Sequence, residues 1–293
     1  MSTKRLKTDV LDFALSGFEI SKHPRPHNDH RLLVYSKSRS AMTHIMFEQL
    51  HSMLTPGDLL VFNNSKVVPA SLYLDAERFI LFTEPQEATF ETSRVICPFK
   101  PRVGDEFDVA GAHITLIAHE PGWDVYHART RLEEKYDSIY SFLLENGRLP
   151  VPIYLKRIPT QQDEAALQNV YAKNEGSIAT PVAGMHFSSE SIIDIRNKGI
   201  EIAEVTLHVG YGTFRSFKTE YIDQHVMDGE VYSVTADSME SIIRAKARGS
   251  KLFRLAPRRQ EYLSQYLIVL SSVTLLQNRE AQIYLYILRM TSR

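Results

Sequence analysis

Residues 56–72 read PGDLLVFNNSKVVPASL, and the reading of this stretch decides the fold. DLLVF, 58–62, is a short apolar run with Pro56-Gly57 before it and the polar NNSK after it, the pattern of a strand buried on both faces. Asn63, Asn64, Ser65 and Lys66 fall just past its carboxyl end, the edge where open α/β sheets meet ligands. The same residue types also end strands in ordinary turns. Downstream the grammar is α/β. SSESIIDIRNKG, 188–199, predicts a Ser-capped helix stopping at Gly199, EIAEVTLHV and EVYSV predict strands, and TADSMESIIRAKARG, 235–249, predicts a second helix. Alternating helices and strands make an α/β core, and KLF, 251–253, opens a further strand.

Between these parts the texture changes. From Leu72 to Arg129, LYLDAERFILF, TSRVICPF, HITLIAH and WDVYHA alternate with Pro and Gly turns and show little helical periodicity. That is the signature of a small all-β module such as a barrel. Residues 133–145 recover helical spacing through Tyr136, Ile139, Tyr140 and Leu143, with Gly147 as the stop. LPVPIYLKR is then extended because its prolines forbid helix, and QQDEAALQ starts another helix. The expected division is a core over 1–69 and 149–253, interrupted by an insert over 70–148.

The chain has 293 residues, 34 Lys and Arg against 35 Asp and Glu, and a net charge of -1. Such a balance excludes a protein that coats nucleic acid nonspecifically and leaves room for a site-like contact. Cys97 is the single cysteine, which excludes an intrachain disulfide and suits a reducing compartment. MSTKRLKTDVLD lacks the apolar core of a signal peptide, and nowhere do roughly 18 to 20 apolar residues run together. The reading is a cytoplasmic protein that does not enter membranes.

Two further stretches carry more polar and glycine detail than folding needs. ATPVAGMHF, 179–187, sets Thr180, Gly184 and His186 ahead of a helix N-terminus, where backbone can approach an anionic group closely. A histidine beside Met185 and Phe187 is also what a satisfied core position looks like. LHVGYGTF, 207–214, ends a strand in His208 and passes into Gly210, Gly212 and Thr213, an arrangement that lets amides crowd a phosphate, carboxylate or ribose while His208 titrates near neutrality. The six-residue dinucleotide fingerprint, HExxH, the Walker lysine loop and G-x-S-x-G are absent, and the 11 histidines form no metal-ligand spacing, so no metal is expected.

Taken together, PGDLLVFNNSKVVPASL, LPVPIYLKR, QNVYAKNEGSIATPVAGMHF, and IEIAEVTLHVGYGTF with its trailing HVMDGE resemble the S-adenosylmethionine:tRNA ribosyltransferase-isomerase family of queuosine biosynthesis, over about residues 30–253. The resemblance implies a three-layer α/β sandwich with a small inserted β-barrel. It also implies transfer of the ribosyl part of S-adenosylmethionine to the aminomethyl group of a 7-deazaguanine base in the tRNA wobble position, releasing adenine and methionine. S-adenosylmethionine would then be a consumed substrate, with no cofactor, and tRNA carrying the deazaguanine precursor the partner of a monomer. On this chain His208 is read from its position as the base or a proton shuttle, a role the resemblance does not itself assign, and Asn63, Asn64, Lys66, Thr180, Gly184, His186, Gly210, Gly212, Thr213 and His225 as the substrate-binding set. Some positions depart from the family pattern. Asn64, Ser65 and Lys66 stand where Asp-Thr-Arg is usual, and Ser71, Asn169, Val182, Asp228 and Asn28 also differ. Lysine does not reproduce an arginine's bidentate grip, so the alternative is a divergent paralogue serving as a tRNA- or nucleoside-binding module.

The last expectation concerns GSKLFRLAPRRQEYLSQY, 249–266. A buried parallel strand does not accept Arg254, Pro257, Arg258 and Arg259, which bring charge into a core and remove a ladder donor. Reverse-translating Arg254 to Gln265 one nucleotide out of frame permits AVGTTxxRxLES, the family's continuation after KLF. The same shift of REAQIYLYILRM, 279–290, permits GxTDLFIYPPYD. Residues 254–293 therefore read as an out-of-frame tail, against the alternative of a genuinely divergent C-terminus.

Overall fold

The computed structural model describes residues 6–11, 30–36, 40–121, 124–152, 155, 157–214, 219–224, 229–254 and 283–286. His225, Asn28 and Asp228 lie outside them. Along the chain, β1 (Arg31–Ser36) and β2 (Ala41–Met46) form a hairpin, followed by a single turn of helix, α1 (Leu50–Met53), then β3 (Leu59–Asn63) and β4 (Ser65–Val67). Six strands come next: β5 (Ser71–Tyr73), β6 (Phe79–Phe82), β7 (Ser93–Ile96), β8 (Glu106–Val109), β9 (Ala112–His119) and β10 (Val125–Arg131), closed by α2 (Ile139–Asn146). The chain then adds α3 (Gln161–Ala166), β11 (Asn174–Ser177), α4 (Ser189–Asn197), β12 (Glu201–Leu207), β13 (Tyr232–Val234), α5 (Ala236–Ala247), β14 (Leu252–Arg254) and β15 (Ile283–Tyr286).

The central sheet has the order β13-β12-β3-β14, with β12 and β14 parallel to β3 and β13 antiparallel to β12. All five β3 residues are buried. Leu60 and Phe62 face a core made with Leu32 of β1, Phe47, Leu54, and Ile192 and Ile195 of α4. Leu59 and Val61 face Ile242 and Ala245 of α5. Burial on both faces explains why DLLVF is a continuous apolar run rather than an alternating one, and it produces the three-layer α/β sandwich expected from the sequence. Asp58 locks the entry to β3: Oδ2 accepts from the Thr55 amide and hydroxyl, while Oδ1 accepts from the Lys251 amide at the start of β14.

The six strands from β5 to β10 form one antiparallel sheet, ordered β5-β6-β7-β10-β9-β8. Inward residues from Leu72 at one edge to Phe107 and Val109 at the other share one core, so the sheet curls into a barrel-like shape. Ile139, Phe142 and Leu143 of α2 plug it. Cys97 is part of this core, and burial pushes its thiol up to about 12, which leaves it unreactive.

The structure refines several local expectations. The helix expected over 133–145 starts at Ile139, because the Ser138 hydroxyl accepts from the Ser141 amide and fixes the N-terminus there. LYLDAERFILF is two strands, not one. Asp75 accepts from the Glu77 and Arg78 amides and turns the chain between β5 and β6. The strand opened by KLF runs one residue further than expected, with Arg254 paired to Val61, since a ladder bond is made by backbone and needs nothing of the side chain. Elsewhere within 254–293 the structure describes β15, which lies antiparallel along β1 from Leu33↔Tyr286 to Ser36↔Ile283.

Phe62→Ala removes the ring shared by β3, Phe187 and Tyr171. It is expected to cost about 3–5 kcal/mol in urea unfolding, and a loss below about 1 kcal/mol would mean that the two-faced packing of β3 does not hold the core together.

Candidate functional site

The site is built where β3 and β12 end side by side. Asn63 finishes β3 and uses its side-chain amide as a substitute peptide group: Nδ2 donates to the Leu207 carbonyl at 2.9 Å, and Oδ1 accepts from the Leu207 amide at 2.9 Å and the Ser65 amide at 3.2 Å. Both polar atoms are thereby engaged in joining the two strand ends. The chain does not turn here, as an Asn-Ser sequence allows; it steps into β4, which pairs parallel with β11. Ser177 Oγ donates to Ser65 Oγ at 2.7 Å and accepts from the Val209 amide at 2.9 Å, so β4, β11 and the stretch after β12 are stitched at one point.

The Asn64 side chain has three partners. Its Nδ2 donates to Glu204 Oε2 at 3.0 Å, and its Oδ1 accepts from Thr206 Oγ1 at 2.8 Å and Asn174 Nδ2 at 3.1 Å. Lys173 Nζ closes on Glu204 at 2.7 Å. Burial opposes the charge on Glu204, but the bonds from Lys173 and Asn64 together outweigh it and hold the carboxyl below its usual range. Lys66 Nζ lies 3.0 Å from Glu175 Oε1, and Glu175 Oε2 accepts from the Tyr140 hydroxyl of α2 at 2.7 Å. These two donors hold Glu175 ionised, while burial and the same bond push the Tyr140 phenol up to about 12.

The 179–187 stretch is a 3-10 turn over Val182–His186, not a continuous lead into α4. It is tied to the site by the Ile178 and Ala179 amides, which both donate to the Val209 carbonyl. Thr180 donates its hydroxyl to the Leu167 carbonyl, and His186 sits against His30, Nδ1 to Nδ1 2.9 Å, beside Phe47. Gly184 permits a close approach: a methyl there would fall 2.0 Å from the Tyr171 hydroxyl and 2.4 Å from Asn169 Nδ2. The Tyr171 hydroxyl and Asn169 Oδ1 are buried without a hydrogen-bond partner, a costly state in a folded chain. Burial, and after it the charge of Glu204, push the Tyr171 phenol up.

His208 is the first residue past β12. Its amide donates to the Val231 carbonyl, and the neighbouring Gly210 amide donates to Glu230 Oε1 at 3.0 Å. Its ring lies on Gly176 of β11, whose φ of +145° belongs to glycine; a Cβ there would sit 2.6 Å from Nδ1. Nδ1 is buried and unpartnered, and burial pushes the imidazole's proton affinity down. Burial thus disfavours the protonated form of the ring. Gly212 is buried within a 3-10 turn over Tyr211–Phe214, which also carries Thr213.

The structure thus brings Asn63, His208 and Gly210 to one strand edge, with Asn64 beside them on the other side of Asn63. Lys66 stands at the contact with the insert, and Thr180, Gly184 and His186 follow the stretch that crosses Val209. Two concave regions, around Asp108–His113 with Arg131–Glu133 and around Phe90, Arg129 and Tyr136, lie on the insert instead and include none of these residues.

A family model described as Queuosine biosynthesis protein matches residues 8–257. The chain belongs to the queuosine biosynthesis protein family. Relatives named S-adenosylmethionine:tRNA ribosyltransferase-isomerase include one from Francisella tularensis subsp. mediasiatica, 34% identical over 257 residues, which are 85% of this chain and 74% of the relative. Another, from Desulfitobacterium hafniense, is 34% identical over 255 residues, 84% of this chain and 73% of that one. The crystal structure of S-adenosylmethionine tRNA ribosyltransferase from Thermotoga maritima is 20% identical, covers 94% of this chain and 75% of its own, and overlays with a TM-score of 0.38.

Within this queuosine biosynthesis protein, Glu175, Gly176, Glu204 and Glu230 were not singled out in the sequence, although all four lie in matched stretches or beside them. The Asn64 and Glu204 pair has a direct test. Asn64→Asp sets two carboxylates about 3 Å apart and is expected to cost about 1–3 kcal/mol in urea unfolding at pH 7, with most of the loss recovered in the Asn64→Asp, Glu204→Gln double variant. A single variant as stable as the parent would show that the amide at 64 is not read as the bonds indicate.

Proposed function

We propose that this chain moves the ribosyl part of S-adenosylmethionine onto the aminomethyl group of 7-aminomethyl-7-deazaguanine in tRNA, giving epoxyqueuosine-tRNA and releasing adenine and methionine. One observation supports it most: an imidazole, His208, whose burial disfavours its protonated form, held at the carboxyl ends of the parallel strands β3 and β12 with amide-rich backbone beside it. A sulfonium acidifies the protons on its neighbouring carbons, so the reaction needs a base that remains unprotonated near neutral pH and groups that orient the leaving adenine and the attacking amine. His208 Nε2 takes the proton. The Gly210 amide, now bonded to Glu230, and Lys66, now bonded to Glu175, belong to the class of donors that meet a carboxylate, ribose or phosphate. S-adenosylmethionine is consumed as substrate and no cofactor is assigned. The working division keeps 1–69 and 149–253 as core, 70–148 as insert, and a cytoplasmic monomer as the acting form.

Residues 254–293 are assigned to an out-of-frame ending. The family match stops at residue 257, three positions past β14, in line with that reading. Resequencing the locus tests it directly, and a frame confirmed as written would retire it. A second reading, a binding module without turnover, is favoured by Lys66 already engaged with Glu175. Adenine release from S-adenosylmethionine with precursor-bearing tRNA separates the two, because tRNA binding without release would leave only the module.

His208→Ala is expected to lower turnover about a hundredfold or more. Because burial depresses the His208 proton affinity, the base stays neutral through pH 7, and the acid limb of kcat/KM should fall below about 6.5, the ordinary imidazole value. Full activity in the variant, or an acid limb centred above that value, would remove His208 from the proton transfer.

A further inference from the structure

We propose that Glu175 and Gly176 of β11 form a platform through which the barrel insert sets the position of the His208 imidazole. The inference rests on the reading of His208 as a working residue, but its geometry does not. Gly176 meets the ring directly: the Nδ1 and Cε1 edge lies where a Cβ would fall, 2.6 and 2.7 Å away. Only bare backbone fits between β11 and this side chain, so a shift of β11 changes both where the ring points and how dry Nδ1 is. Glu175, one residue earlier, is the point at which three other parts of the molecule hold β11. Lys66 of β4 donates to Oε1, Tyr140 of α2 donates to Oε2, and Gln86, in the loop between β6 and β7, donates Nε2 to the Glu175 carbonyl at 3.3 Å. Two of these three donors belong to the insert.

The energy of these contacts is modest, since the Lys66 and Glu175 side chains are each about two-fifths exposed and such pairs contribute little to stability. Their effect is on placement. A carboxylate held on both oxygens by donors from different units fixes the strand in two directions, as a loose surface pair does not. β11 has no further strand beyond β4 in its two-stranded sheet, so its ladder with β4 is supplemented by these side chains, by Asn174 on Asn64 and Thr206, and by the Ser177 bonds. Among the described residues, charged groups near His208 include Glu175, engaged as above, and Glu230, which accepts from the Gly210 amide. Glu175 is therefore a positioning residue, acting through its neighbour's backbone.

The test uses the full chain, with His208 assigned by loss of its signal in His208→Ala and its ring titrated by NMR. Tyr140→Phe removes one oxygen from the insert's leg of the platform, and Glu175→Gln removes the charge that both donors hold. Arg129→Ala, which breaks an exposed pair with Glu91 on the insert, serves as the control. In Tyr140→Phe the His208 midpoint is expected to rise toward that of an ordinary imidazole by at least about 0.3 units, as water reaches Nδ1; in Glu175→Gln the loss of a nearby negative charge opposes that rise, and a shifted ring signal is the expected readout, while the control is expected to leave both in place. Gly176→Ala should move the ring signal further still. An unchanged midpoint in folded Tyr140→Phe together with an unmoved ring signal in folded Glu175→Gln, or an equal change in the control, would overturn the proposal. If the wild-type chain releases adenine, the same two variants should lower kcat with little change in KM; if it releases none, the proposed reaction fails while the titration still decides the coupling.

Discussion

Everything at the site depends on two strands being held together at the point where their backbones part. β3 and β12 pair in parallel up to Asn63 and Val205, and beyond that the chain of β3 leaves for β4. The Asn63 side chain supplies the next rung itself, giving one donor and one acceptor to Leu207. A buried strand end without such a group would leave the Leu207 amide and carbonyl unpaired, at a cost of about 1–3 kcal/mol each. With it, the sheet acquires a rigid lip, and His208 begins one residue later on a backbone that cannot drift.

The placement of charge around this lip follows from the same economy of unpaired groups. Asn64, Glu204, Lys173, Asn174 and Thr206 form a connected set in which each donor faces an acceptor. One carboxylate and one ammonium are enough to satisfy it. Asparagine at 64 is thus not a weakened aspartate in this chain, because its amide nitrogen is required by Glu204 and its oxygen by Thr206. The departure from the family pattern at this position is a matter of local bonding, and loss of the charge there does not by itself speak against turnover.

Much of the fold was legible because apolar runs and helix caps are local signals. DLLVF announced a two-faced strand, Ser188 and Thr235 marked helix starts, and the change in texture after Leu72 marked the β-rich insert. β8 escaped because Glu106 and Asp108 alternate with Phe107 and Val109, so only half of a short strand carries apolar residues and neither face is fully buried. At the site, His208 and Asn63 could be picked out as polar residues at strand ends. What could not be read was pairing across distance: Asn64 finds Glu204 140 positions away, and Glu-Gly at 175–176 looks like any turn until Tyr140 and His208 are seen on either side of it. His186 illustrates the same limit, since its neighbour His30 lies 156 positions earlier.

The separation of Asn63 from Leu207, 144 positions, also bears on how the chain is made. The strands of the insert pair with near neighbours, and α2 follows at once to plug them, so this unit has all its partners within a short length of chain. The central sheet has none until β12 is complete. Bringing distant strands together carries a loop-closure cost that is met only late. During synthesis the insert can therefore be finished while β3, apolar on both faces, still waits for its neighbours, and for that interval a strand made to be buried on both sides stands in need of shelter.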